Sequence, residues 1–139
     1  EALDMLLDEG IDHVLARHQR WAAGVRAAVE AWGLEIQCLD PSVYSPVLTG
    51  VVMPEGIDAD DVRKIIYERF DLSLGTGLGK AKGKMFRIGH LGDCNDLTLI
   101  ATLGGCEAGM KLAGVNLKGS GVIAAMDYFA TNPLDAGKR

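Results

Sequence analysis

The chain has 139 residues, 48% of them hydrophobic, and a formal net charge of −5 at pH 7. This length is typical of one globular domain, and the apolar content is too high for a disordered segment. The acidic balance disfavours a general nucleic-acid binder, and no apolar run reaches the roughly 18 residues that a membrane-spanning helix needs.

The first 32 residues predict two helices separated by Gly10. Residues 1–9 are amphipathic but follow no capping residue, and the chain begins with Glu rather than Met, so we expect this helix to continue one that starts upstream. Residues 11–32 keep the 3.6-residue period of a helix, and Gly33 is suited to end it. The predicted buried stripe consists of Ile11, Leu15, His18, Ala22, Val25, Val29 and Trp32.

The next segment predicts a pair of antiparallel strands followed by a helix. Residues 34–39 alternate between apolar and polar, residues 47–53 are rich in β-branched side chains, and a proline-containing loop joins them. Asp58 then precedes a helical pattern that extends to Phe70. The stripe expected to be buried on this helix is Val62, Ile65, Ile66 and Phe70.

The remaining elements complete an α-α-β-β-α-β-β-α-α order. Residues 72–74 and 84–88 read as strands on either side of a glycine-rich loop, 75–83. Asp93 is the expected cap of a helix over 94–113, and a last helix is expected over 120–130. This order predicts an α+β fold, with helices packed on a small, mostly antiparallel sheet.

A basic, glycine-rich island lies between Leu72 and Gly92. It holds no Asp or Glu and carries a charge of +4, whereas the chain as a whole is acidic. Strand alternation places Arg87 opposite Phe86 and Ile88, with Met85 on its own side. A strand-borne arginine is a rigid fork for a carboxylate or phosphate, although a structural ion pair or a solvated position stays open.

The other basic residues of the island are weaker candidates. Lys80, Lys82 and Lys84 are more typical of a solvated turn, and neither GxxxxGK[ST] nor GxGxxG fits the glycine spacing.

The histidines and cysteines give little support for a metal site or a thiol enzyme. His13 and His18 are five residues apart rather than four, and His18 lies on the apolar stripe, so we expect a packed histidine. The cysteines include no CxxC pair, which favours reduced thiols in the cytoplasm. His90 and Cys94 form a conceivable base and nucleophile, with Cys94 at a predicted helix N-terminus, but an incidental cysteine is the better interpretation.

Residues 72–96 resemble the class V pyridoxal-phosphate aminotransferases, most specifically in the run GKMFRIGHLG from Gly83 to Gly92. The resemblance covers essentially the whole chain but only about the last third of a family member. It therefore implies the small C-terminal domain of the aspartate-aminotransferase-like fold. Residues 1–32 would be the end of the interdomain connecting helix and the first helix of the small domain, and residues 33–139 the remainder. The large domain would precede residue 1.

The resemblance also implies a function. Arg87 would bind the α-carboxylate of an amino-acid or oxo-acid substrate, and the loop containing Gly77 and Gly79 would lie at the mouth of the active site. The complete enzyme would move an amino group from serine to glyoxylate, using pyridoxal 5′-phosphate, as a cytoplasmic homodimer. The Schiff-base lysine and the cofactor ligands would lie upstream, so this chain alone would bind no cofactor and catalyse nothing. A free-standing amino-acid-binding or regulatory module is the alternative.

Overall fold

The computed structural model describes residues 1–134, so the last five residues of the predicted domain 33–139 lie outside the described part. Within this described part, five α-helices and four short strands occur in the predicted order. The helices are α1 Ala2–Glu9, α2 Ile11–Trp32, α3 Ala59–Phe70, α4 Asp96–Leu112 and α5 Gly121–Thr131. The strands are β1 Glu35–Ile36, β2 Leu48–Val52, β3 Gly75–Thr76 and β4 Met85–Gly89.

The strands form one sheet in the order β1-β2-β4-β3, in which every neighbouring pair is antiparallel. This confirms the predicted α+β class. Val51, Phe86 and Ile88 are fully buried and belong to one apolar cluster with side chains of α2, α3, α4 and α5. The core therefore lies between one face of the sheet and the four longer helices.

The helices follow the sequence signals closely. Asp58 caps α3 by accepting a hydrogen bond from the backbone N–H of Asp60, and Gly33 ends α2 in the left-handed region at φ 74°. The predicted stripes are only partly buried, however. Ile11 and Leu15 are 47% and 53% exposed, and Phe70 is 43% exposed.

Two boundaries near the candidate site differ from the prediction. The short strand expected at residues 72–74 occurs at Gly75–Thr76 instead, because the Arg63 guanidinium binds the Leu74 carbonyl at 2.9 and 2.6 Å. Helix α4 begins at Asp96 rather than Cys94. Asn95 caps it in a reciprocal arrangement with Thr98, which satisfies two backbone donors and so wins over the Asp93 cap that we expected.

The strand predicted over residues 34–39 is also shorter than expected. Only Glu35–Ile36 is extended in the sheet. The chain then leaves the ladder for a 3-10 turn at Pro41–Val43, where the Asp40 side chain accepts a hydrogen bond from the Ser42 N–H. None of the helices formed by residues 1–134 is both long enough and apolar enough to cross a membrane.

Candidate anion-binding site

Arg87 occupies the middle of β4, and the alternation of that strand decides which way it faces. Phe86 and Ile88 are fully buried in the core, whereas the half-buried Arg87 lies on the opposite face of the sheet. A cavity of about 220 Å³ opens on that side, lined by both Arg87 and Met85. The strand phase read from the sequence is therefore confirmed.

The strand register places a glycine on each side of Arg87. Gly50 of β2 and Gly75 of β3 are its two cross-strand partners. A Cβ atom at Gly75 would lie 3.0 Å from the Arg87 Nε atom and 3.1 Å from its Cβ atom. Because facing residues in a sheet point to the same side, the missing side chain at Gly75 leaves a shallow trough for the Arg87 side chain, whereas Met85 fills the space beside Gly50.

Helix α2 and the loop before β2 complete the cavity. Arg26 projects from α2, and its guanidinium carbon lies 5.1 Å from the centre of the Tyr44 ring. The residues that line the cavity combine two cations with mainly apolar and neutral polar side chains. They are Arg26, Ile36, Gln37, Cys38, Val43, Tyr44, Ser45, Leu48, Thr49, Gly50, Met85 and Arg87.

Neither arginine of this cavity has an acidic partner among residues 1–134. No Asp or Glu lines the cavity, and no described carboxylate oxygen lies within 4.0 Å of either guanidinium. The Arg87 Nε atom is buried without a hydrogen-bond partner. A buried donor of this kind is costly unless something accepts from it, so the arrangement is suited to an anion supplied from outside the described residues.

The rest of the basic island does not reach the cavity. Lys80, Lys82 and Lys84 are exposed, as expected of a solvated turn. Neither Gly77 nor Gly79 lines the cavity, but Gly77 packs behind it. A Cβ atom at Gly77 would lie 3.0 Å from the Cγ atom of Met85, and the Gly77 N–H donates to the Met85 carbonyl at 3.2 Å.

His90 has a structural environment rather than a thiol partner. Its ring is fully buried, with Nε2 2.9 Å from the Thr49 hydroxyl and Nδ1 3.1 Å from the Pro46 carbonyl. Burial lowers the pKa of His90 to about 4, helped by the positive charge of Arg26 and opposed by the hydrogen bond to Pro46. At neutral pH the ring is therefore uncharged, with Nδ1–H donating to Pro46 and Nε2 accepting from Thr49.

Cys94 and His18 also contact backbone groups and have structural environments. Cys94 precedes helix α4 and its Sγ contacts the Leu91 carbonyl at 3.5 Å, so the predicted helix N-terminal position was wrong. His18 is packed as predicted, with Nδ1 2.7 Å from the Val14 carbonyl and Nε2 accepting from the Gly92 N–H. Residues 1–134 contain no cluster of three or more His, Cys, Asp or Glu side chains arranged for a metal ion.

Two relatives of this chain are glyoxylate aminotransferases. Serine–glyoxylate aminotransferase of Hyphomicrobium methylovorum is 48% identical over 132 residues, which are 94% of this chain and 33% of that protein. L-aspartate–glyoxylate aminotransferase of Paracoccus denitrificans is 40% identical over 98% of this chain and 35% of its own length. No family model matches the sequence.

A solved structure agrees with these relatives. The crystal structure of pyridoxamine–pyruvate aminotransferase from Mesorhizobium loti superposes with a TM-score of 0.87 at 36% identity, covering 94% of this chain and 34% of that one. The chain belongs to this aminotransferase family. It spans about a third of the length of the curated aminotransferases that it matches.

Aminotransferases of this family use pyridoxal phosphate, which requires a lysine for covalent attachment. None of the residues that line the cavity is a lysine, and the three lysines nearest to Arg87 in sequence are exposed. This cavity therefore fits a carboxylate and offers no lysine for attachment of the cofactor.

Three residues of the site were missed by the sequence analysis. Gly50 interrupts a β-branched strand, and an isolated glycine in a strand is a signal of close packing that could have been used. Arg26 and Tyr44 carry no such signal. They are 18 residues apart on a helix and a loop, and only the packing of α2 beside β2 brings them to Arg87.

Proposed function

We propose that this chain is the substrate-carboxylate-binding part of a pyridoxal-phosphate aminotransferase that transfers an amino group from serine to glyoxylate. The observation that supports it most directly is the guanidinium of Arg87, which lines a cavity without an acidic partner among the described residues. The similarity to two aminotransferases whose names include glyoxylate supports the acceptor.

Arg87 would act by orientation. A guanidinium presents paired N–H donors that match the two oxygens of a carboxylate, and the Arg87 side chain lies against the open backbone of Gly75. Once the α-carboxylate is held, the Cα–H bond of the substrate has a defined direction, which removes part of the entropic barrier to its deprotonation. The side chains of Met85 and Tyr44 line the same cavity beside Arg87.

The other components would come from the rest of the polypeptide. Residues 1–32 would be the connecting helix and the first helix of the small domain, residues 33–139 the small C-terminal domain, and a preceding large domain would hold the cofactor. The cofactor, when bound there, supplies the electron sink of the reaction. This chain alone would then be inactive, and the complete enzyme would be a cytoplasmic homodimer. The loop with Gly77 and Gly79, which packs behind Met85, would order when substrate enters.

The experiment uses the complete polypeptide, incubated with serine, glyoxylate and pyridoxal phosphate. We expect serine to become hydroxypyruvate as glyoxylate becomes glycine, with no turnover when the cofactor is removed. Absence of transfer, combined with tight binding of serine or glyoxylate to residues 1–139 in equilibrium dialysis, would instead establish a free-standing binding module.

A further inference from the structure

We propose that Arg26 determines substrate specificity: its guanidinium binds the distal carboxylate of an amino or oxo dicarboxylate whose α-carboxylate is held by Arg87. The proposal rests on the function proposed above. It assigns to the same cavity a second anion subsite, and with it a second class of amino donor, namely dicarboxylic amino acids.

The position of Arg26 is fixed by its surroundings. It follows the fully buried Val25 on helix α2, which is anchored in the core along most of its length. Its guanidinium lies over the ring of Tyr44 at 5.1 Å, a cation–π contact that orients the group without neutralising it. Tyr44 directly follows the 3-10 turn capped by Asp40, so the ring belongs to an ordered loop.

The charge of Arg26 is not balanced within the described residues. No ion pair or side-chain hydrogen bond forms to it among residues 1–134, and the cavity that it shares with Arg87 has no acidic lining. Its positive charge also contributes, after burial, to the lowered pKa of His90. Arg26 and Arg87 line one cavity, where their like charges repel each other, and an anion between them relieves that repulsion.

One carboxylate does not need both arginines. The fork of Arg87 already offers paired donors to the two oxygens of an α-carboxylate, which leaves Arg26 free for a second anionic group. A cavity of about 220 Å³ is large enough for a four-carbon dicarboxylate, and its floor of neutral side chains adds no competing charge. The chemistry therefore favours a ligand with two carboxylates over one with a carboxylate and a hydroxyl at this subsite.

The test compares two donors in the complete enzyme. We expect Arg26→Met to lower kcat/KM for aspartate by about 10- to 100-fold, mainly through KM, because a charge-assisted contact is lost. The loss for serine should be clearly smaller than the loss for aspartate, and Arg26→Lys should recover part of the loss for aspartate. The matched control is Arg69→Met, an exposed arginine on α3 that lines no part of the cavity.

A binding measurement makes the outcome independent of turnover. Succinate, an unreactive dicarboxylate, should bind the wild-type protein more tightly than acetate does, and Arg26→Met should abolish that difference in calorimetry. Equal losses for serine and aspartate, or unchanged succinate binding in the variant, would overturn the proposal. Transfer from serine by a wild-type enzyme that neither uses aspartate nor prefers succinate would overturn this inference alone. Failure to transfer from either donor would refute the proposed function, and the succinate comparison would still decide the role of Arg26.

Discussion

At the scale of single residues, the candidate site depends on the absence of a side chain at Gly75 as much as on Arg87 itself. We predict that Gly75→Ala displaces the guanidinium, because the new Cβ atom would lie 3.0 Å from Nε. Misplacement of a binding group by a fraction of an ångström to an ångström lowers kcat/KM, here by about tenfold for serine in the complete enzyme.

The control is Gly89→Ala, on the same strand β4 as Arg87. A Cβ atom there would meet no atom within 4 Å, so this variant should keep the wild-type kcat/KM. Equal kinetics for the two variants would show that the trough beside Arg87 is not needed for substrate binding.

Glu107 is the other residue with an unusual environment, since it is buried and accepts from four donors. Its carboxylate receives hydrogen bonds from Trp32 Nε1 at 2.9 Å and Lys111 Nζ at 2.7 Å, and from the Ser120 hydroxyl and the Val122 N–H. Burial raises the pKa of Glu107, but these hydrogen bonds outweigh it and lower the pKa from 4.5 to about 2. The folded state therefore binds the proton more weakly than the unfolded state.

The low pKa of Glu107 makes the free energy of unfolding depend on pH in the acid range. The stabilisation by Glu107 is complete above about pH 4.5 and is lost as the pH falls towards 2, for a total of about 3 kcal/mol. In urea titrations, Glu107→Gln should flatten this part of the profile of unfolding free energy, whereas the exposed Glu68→Gln should not. An unchanged slope in Glu107→Gln would contradict the assignment.

The direction of Arg87 could be predicted from sequence because it depends only on strand alternation between Phe86 and Ile88. The residues that surround Arg87 could not be predicted in this way. Gly75 and Gly50 become partners of Arg87 only through the register of three strands, and Arg26 only through the packing of a helix. The periodicity of a single strand or helix contains no information about strand register or about helix packing.

At the scale of elements, helices α3 and α4 approach each other through a small residue. Gly109 of α4 faces Ile66 of α3, and a Cβ atom there would lie 2.2 Å from the Ile66 Cγ1 atom. We predict that Gly109→Ala lowers the free energy of unfolding by about 1–3 kcal/mol, because the helices must separate to accommodate the methyl group.

Gly104 provides the matched comparison on the same helix. A Cβ atom at Gly104 would meet no atom within 4 Å, so Gly104→Ala should stabilise the protein by up to about 1 kcal/mol through helix propensity. Chemical denaturation measures the free energy of unfolding of both variants. A Gly109→Ala protein as stable as Gly104→Ala would show that the close helix contact is not formed.

The boundaries of an element could be predicted where they depend on the element's own residues. The predictions were wrong where several side chains compete for the same backbone groups. Helix α2 begins and ends where its period and Gly33 indicate. The start of α4 differs because Asn95 and Thr98 together satisfy more backbone donors than Asp93 could alone. The third strand is displaced because Arg63, 11 residues away, takes up the Leu74 carbonyl.

At the scale of the whole molecule, the exposed apolar surface and the share of the relatives covered point the same way. Helix α1 has no buried residue, and Leu3 and Leu7 are 73% and 68% exposed. The chain also matches only about a third of each related aminotransferase. Both observations support the proposal that a larger part of the polypeptide packs against this helix.

The most direct measurement is kcat/KM for serine in the complete enzyme carrying Arg87→Ala, compared with the exposed-surface variant Arg69→Ala. If Arg87 holds the substrate carboxylate, its loss should cost about 3–5 kcal/mol of transition-state stabilisation, as for a buried charge that loses its partner. That is a drop of roughly two to four orders of magnitude in kcat/KM, while Arg69→Ala stays at the wild-type value. A near-normal kcat/KM in a folded Arg87→Ala enzyme would contradict the account.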